Sequence, residues 1–106
     1  MSELIINYND KIFVIACDDV NLYRNSKDKL EVGVYYQVRN GTDIEFDGMF
    51  YYRILDKTIC VEVVSQSWHL KPIAENILTI IGLVLEYTSK DPDYKDVFEY
   101  NARLLQ

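Results

Sequence analysis

Apolar and polar positions follow two periods along this chain, first two and then between three and four. Glu3–Tyr8 and Lys11–Cys17 are strand-like runs separated by Asn9-Asp10, the length and residue type of a tight hairpin. The second run, KIFVIAC, is apolar on both alternating faces, which predicts a central strand covered on both sides. Asp18–Leu30, DDVNLYRNSKDKL, loses the pattern and reads as a polar loop. Glu31–Arg39 resumes it, with Val32, Val34, Tyr36 and Val38 on one face and Tyr35, Gln37 and Arg39 on the other. Asn40-Gly41 is the strongest turn signal and returns the chain into Thr42–Asp47. There Asp43, Glu45 and Asp47 alternate with Ile44 and Phe46, so the acidic side is expected to face water. Asp47-Gly48 predicts a second turn or a bulge. Met49–Leu55 sets Phe50, Tyr52 and Ile54 opposite Met49, Tyr51 and Arg53. Asp56-Lys57 turns again, and Thr58–Val64 closes the strand region with Ile59, Val61 and Val63 on one face.

The period then changes. In Pro72–Tyr87, PIAENILTIIGLVLEY, the residues Ile73, Ile77, Ile80, Ile81, Val84 and Tyr87 recur at helical spacing. Pro72 suits a first helical turn, and Glu75 lies near the positive end of the helix dipole. Leu78, Leu83 and Leu85 make the opposite side apolar as well, so this helix is expected to be the buried centre of the molecule. Gly82 inside it predicts a close approach by another backbone. Ser89-Lys90-Asp91-Pro92 stops the helix and starts another, with Asp91 as cap and Pro92 as first residue. Its apolar face is Tyr94, Val97, Phe98, Ala102, Leu104 and Leu105. Five or six antiparallel strands, as hairpins or a meander, followed by two C-terminal helices packed on them make an α+β layout in one domain spanning residues 1–106.

A chain of 106 residues with 49% hydrophobic and 26% charged content can bury a modest core of its own. The net charge of −6 disfavours nucleic acid and anionic membrane surfaces, and points to a partner protein with a basic surface. A membrane span needs about 20 apolar residues, and Glu75, Asn76 and Glu86 bracket a shorter run. Cys17 and Cys60 fall in strand patterns without a CxxC or Cys/His cluster. Buried, reduced thiols in a cytoplasmic protein are expected, with neither metal nor cofactor. MSELIINY shows no secretory signal pattern.

The candidate chemistry is aromatic and acidic. Nine tyrosines include the pairs Tyr35-Tyr36 and Tyr51-Tyr52, whose members point to opposite faces of a strand. Tyr35 and one of Tyr51 or Tyr52, with Tyr52 preferred, edged by Arg39 and Arg53, form a candidate protein interface, because tyrosine and arginine are enriched at binding hot spots. Asp43, Glu45 and Asp47 would extend it as an acidic ridge facing a basic partner. Alternate strand positions lie about 7 Å apart, too far to cage a metal from one strand. His69, beside Trp68, reads as part of an aromatic cluster at the helix entry.

Ser2–Leu30 carries a small hydroxyl residue, a strand, a turn, a strand ending in Ala16-Cys17-Asp18 and a later lysine. In this it resembles the opening hairpin of proteasome-type N-terminal-nucleophile hydrolases. The resemblance covers under a third of the chain, which is also much shorter than that fold. It implies Ser2 as nucleophile after removal of Met1, Asp18 as orienting carboxylate and Lys29 as the basic residue.

The leading expectation is a small acidic protein-interaction module, an inhibitor or immunity-type protein such as phages or toxin–antitoxin loci carry. A binding domain with a Tyr-lined pocket between sheet and helices is the alternative. The two-sided apolar helix and the tyrosine face further predict a homodimer burying one of them.

Overall fold

The structure, a computed structural model, describes residues 3–25 and 29–105. Five antiparallel strands form one meander sheet in chain order: β1 (Glu3–Tyr8), β2 (Lys11–Arg24), β3 (Leu30–Asn40), β4 (Asp43–Leu55) and β5 (Thr58–Val63). The helices follow as α1 (Leu70–Glu75), α2 (Ile77–Thr88) and α3 (Lys95–Leu105), with 3₁₀ turns at Ser67–His69 and Pro92–Tyr94. The expected α+β architecture is present.

Two turns follow directly from residue type. Asn9 and Asp10 have φ of 48° and 64°, and Asp56 and Lys57 have φ of 48° and 65°. Two consecutive left-handed residues close a two-residue hairpin whose twist matches that of its strands. The β3–β4 turn sits one residue later than expected, at Gly41-Thr42, with Asn40 paired to Asp43 and Gly41 at φ 63°. Asp47-Gly48 is neither turn nor bulge. It runs straight through β4, opposite Gln37 and Tyr36, so the described residues form five strands.

The stretch 18–24 is strand, not loop. Between Ala16 and Val20 the β2–β3 register shifts around Cys17, Asp18 and Asp19. Phe13, Ile15 and Cys17 face the helices before the shift, and Val20 and Leu22 after it. β2 is also not covered on both sides. It is second in the sheet, and the helices pack on one face only.

That inner face holds the core: Phe13, Ile15, Val20, Val32, Val34, Tyr36, Val38, Phe50 and Tyr52 meet Ile73, Ile77, Ile80, Ile81, Val84 and Val97. The four α2 residues expected at the centre, Ile77, Ile80, Ile81 and Val84, are all buried. Val34 and Val61 lie among their neighbours, whereas Val14 pairs with Gln37 and faces the other way.

The predicted single helix over 72–87 is broken at Asn76. Its side-chain Nδ2 donates to the Pro72 carbonyl at 2.8 Å and its backbone N–H to the Ile73 carbonyl at 3.1 Å. An asparagine that hydrogen-bonds the preceding turn offers the backbone an alternative to helix continuation. Gly82 accommodates no neighbour, because a Cβ there would meet nothing within 4 Å. Leu83 and Leu85 are half-buried against the core, and only Leu78 stands out, 71% exposed. α3 is entered as expected: Asp91 accepts from the Asp93 N–H at 2.9 Å, with Pro92 first in the turn. Val97, Tyr100 and Asn101 turn inward, Leu105 is exposed, and the side chain of Leu104 lies outside the described residues.

Candidate functional site

With every helix on one face, the opposite face of the sheet is left open. Register assigns its occupants: Ile5 and Asn7 from β1; Ile12, Val14, Ala16, Asn21 and Tyr23 from β2; Glu31, Gly33, Tyr35, Gln37 and Arg39 from β3; Asp47, Met49, Tyr51 and Arg53 from β4; Cys60 and Glu62 from β5.

Its centre is a hydrogen-bonded ladder along β3. Arg39 donates from Nε and Nη2 to Gln37 Oε1 at 3.0 and 2.7 Å, and Gln37 Nε2 donates to the Tyr35 hydroxyl at 2.7 Å. The Asp47 carboxylate on β4 lies close enough to the Tyr35 hydroxyl to act on its ionisation. Desolvation by burial, and then this carboxylate, raise the Tyr35 phenol above its ordinary range. Each side chain in the row holds the next, so less rotamer freedom is left to lose on binding.

Beside the ladder lies an aromatic pair. Tyr23 and Tyr51 meet edge to face with ring centroids 5.7 Å apart, and the Tyr23 hydroxyl reaches Met49 Sδ at 3.7 Å. The rings close over Gly33, where a Cβ would lie 2.5 Å from Tyr23 Cε2 and 3.0 Å from Tyr51 Cε1. A side chain at 33 would therefore push the pair apart.

Of the residues expected at the interface, Tyr35, Arg39, Arg53 and Asp47 share this open face. Tyr52 does not. It is 1% exposed, faces the helices, and donates to Asn101 Oδ1 at 2.7 Å. Its neighbour Tyr51 takes the outward place. The acidic ridge is divided as well. A register shift between Val38 and Arg39 inserts Glu45 as an extra residue on β4, so Arg39 pairs with Ile44 and Val38 with Phe46. Glu45 then pairs with Lys11, whose Nζ lies 2.6 Å from both carboxylate oxygens. Asp43 stands exposed at the hairpin end. Tyr23, Met49 and Gln37 join this face only in the folded sheet; the phase shift in β2 hides Tyr23 from the sequence pattern.

The helix side shows one further group. Lys11, Val38, Glu45, Phe46, Gln66, Trp68 and His69 line a surface cleft of about 240 Å³. His69 is 1% exposed in an aromatic cage, with Trp68, Phe46, Phe13 and Tyr36 ring centroids at 4.4, 5.0, 5.5 and 5.6 Å. Its Nδ1 lies 2.9 Å from the Tyr36 hydroxyl. Burial lowers the His69 pKa and pushes the Tyr36 phenol up to about 12, so at neutral pH the phenol donates and a neutral imidazole accepts. Gly48 makes room for this cluster, since a Cβ there would lie 2.9 Å from the Phe46 ring. The helix-entry cluster was legible in the sequence, but its role is packing. Tyr36 and Tyr52 are packed in the core between sheet and helices.

Of the hydrolase constellation, Ser2 lies outside the described residues. The Asp18 carbonyl accepts from the Tyr94 hydroxyl at 3.0 Å, and the exposed Lys29 lies six strand positions along the sheet, roughly 20 Å at about 3.3 Å per residue. Cys17 and Cys60 are both free, but only Cys17 is buried; Cys60 is exposed on β5. Among the described residues, no group of three or more His, Cys, Asp or Glu gathers as a metal-holding cluster, and no helix is long and apolar enough to cross a membrane. Comparison with protein-family models, curated proteins and solved structures found no match for this chain.

Proposed function

We propose that this chain is a small acidic protein-interaction module that presents the open face of its sheet to a partner protein. One observation carries the reading. Arg39, Gln37 and Tyr35 form a hydrogen-bonded row, with Asp47 and the Tyr23–Tyr51 pair beside it, on a face that none of the described helices covers. Preorganised tyrosine and arginine side chains suit a binding hot spot. The net charge of −6 favours a partner with a basic surface, and the Asp47, Glu31 and Glu62 carboxylates on the same face add to that preference. Blocking such a surface would make the chain an inhibitor or immunity-type protein acting in the cytoplasm.

The test is affinity capture followed by quantitative binding with Tyr35→Ala, Arg39→Ala and Tyr51→Ala. Hot-spot truncations cost about 2 kcal/mol or more, so each of at least two variants should weaken binding by more than tenfold. Trp68→Ala, in the cleft on the other side, serves as control. Binding that survives all three open-face changes and is lost with Trp68→Ala would move the site to the cleft.

A further inference from the structure

We propose that the free edge of β1 is a pairing site for β1 of a second copy of this chain, joining two five-stranded sheets into one. The argument begins with hydrogen-bond parity. Asn9-Asp10 forms a two-residue turn, so the closing pair Tyr8–Lys11 is hydrogen-bonded, and bonding alternates from there. Ile6–Phe13 and Leu4–Ile15 are then bonded pairs. Asn7, Ile5 and Glu3 direct their backbone N–H and C=O groups away from β2, toward an edge that no other described strand occupies.

Apart from the single charge of Glu3, this edge lacks the usual protection. Glu3–Tyr8, ELIINY, contains no proline, no lysine and no bulge, and Ile5 is 54% exposed on the outer face. Such an edge is a template for another strand. At the opposite side of the sheet, α1 packs against β5.

The occupant follows from self-complementarity. In a two-fold antiparallel pairing centred on Ile5, Ile5 faces Ile5 of the second copy and each Glu3 faces an Asn7. Every pair exchanges two backbone hydrogen bonds, and the side chains set opposite one another are apolar with apolar and carboxylate with amide. A register centred on Glu3 would oppose two carboxylates. One centred on Asn7 would run Ile5 into Asn9, where the chain already turns at φ 48°. Only the Ile5-centred register uses all three free positions, and a surface that matches its own copy closes as a two-fold dimer. The homodimer expected from the sequence is thereby placed at a strand edge. The exposed Leu78 on α2 has the exposed Thr79 and Gly82 beside it, with the charged Glu86 next along the same line, so its exposed surroundings on the helix are not apolar. This inference does not depend on the open face being a partner site.

The experiment is light scattering from micromolar to millimolar concentration on the wild type, Ile5→Pro, Ile5→Lys and Leu78→Glu. Proline at 5 deletes an N–H that β2 does not use, a substitution an edge position tolerates. Lysine at 5 sets like charges directly opposite each other. The expected result is a wild-type dimer at the upper concentrations, monomers for both Ile5 variants, and a dimer for Leu78→Glu. Hydrogen exchange should show the Ile5 and Asn7 amides slowed in the dimer and fast in Ile5→Lys. Circular dichroism reports whether each variant is folded; if Ile5→Pro is not, Ile5→Lys carries the test. A wild type that stays monomeric throughout, or a dimer that persists in a folded Ile5 variant, overturns the proposal.

Discussion

Tyr52 and Asn101 are 49 positions apart in the chain, yet the Tyr52 hydroxyl lies 2.7 Å from Asn101 Oδ1. Asn101 Nδ2 donates onward to the Val97 carbonyl at 2.7 Å, so the amide uses both ends inside a fully buried site. This bond ties β4 to α3 and explains how a tyrosine and an asparagine sit in an apolar core. Tyr52→Phe removes the donor and strands Asn101 Oδ1, which costs about 1–3 kcal/mol. Urea denaturation should show the lower midpoint, and the double variant Tyr52→Phe/Asn101→Leu should recover part of the loss. Additive losses in the double variant would mean that the two groups act separately.

The Tyr36–His69 pair makes stability depend on pH in one direction. Burial holds the His69 pKa below its ordinary value of 6.5. As pH falls below 6.5, the unfolded chain takes up a proton there that the folded chain refuses, so stability declines with falling pH through that window and is regained above it. His69→Gln should flatten the unfolding free energy of the folded protein between pH 5 and 7, above the range where carboxylates titrate. A wild-type profile already flat across this range would mean that the cage accommodates the imidazolium.

How far the sequence shows the fold can be argued residue by residue. Asn9-Asp10 and Asp56-Lys57 were legible because a two-residue hairpin demands left-handed backbone, which these residue types tolerate. The α2 core was legible because Ile77, Ile80, Ile81 and Val84 keep helical spacing. Two of the strand misses share a cause: an odd number of inserted residues reverses the phase of a period-two pattern. Cys17, Asp18 and Asp19 shift the inward positions from Ile15 to Val20, so the second half of β2 reads as loop. Glu45 does the same in β4, and a strand that alternates acid with apolar gives no sign of it. The parity of β4 put Tyr52 beside Phe50 and Ile54. Assigning that face inward required the pairing of Val32 with Tyr52, which only the folded sheet supplies.

The two cysteines should separate chemically. Burial, and then the Asp18 charge, push the Cys17 thiol up to about 11, and a buried neutral thiol is a poor nucleophile. Cys60 is exposed on β5. A maleimide or iodoacetamide should therefore add once to the native protein, at Cys60, and twice after denaturation, as read by intact mass. Native labelling at Cys17 would show that the β2 irregularity opens on the labelling timescale.

Gly82 provides a test of what surrounds α2. It is an interior helix residue with ordinary helical backbone, and a Cβ there would meet nothing within 4 Å. Glycine in such a position costs about 1 kcal/mol relative to alanine, because the unfolded chain has more freedom to lose and no contact offsets it. Gly82→Ala should raise the unfolding free energy by about that amount, read as a higher urea midpoint with an unchanged denaturant slope. The sign is informative. Leu78, Gly82 and Glu86 are four residues apart and form one exposed line along α2, so a second copy seated closely against that line would need the glycine. A destabilised Gly82→Ala, or one whose oligomeric mass falls, would place a backbone against α2. A more stable protein of unchanged mass would leave that helix face to solvent.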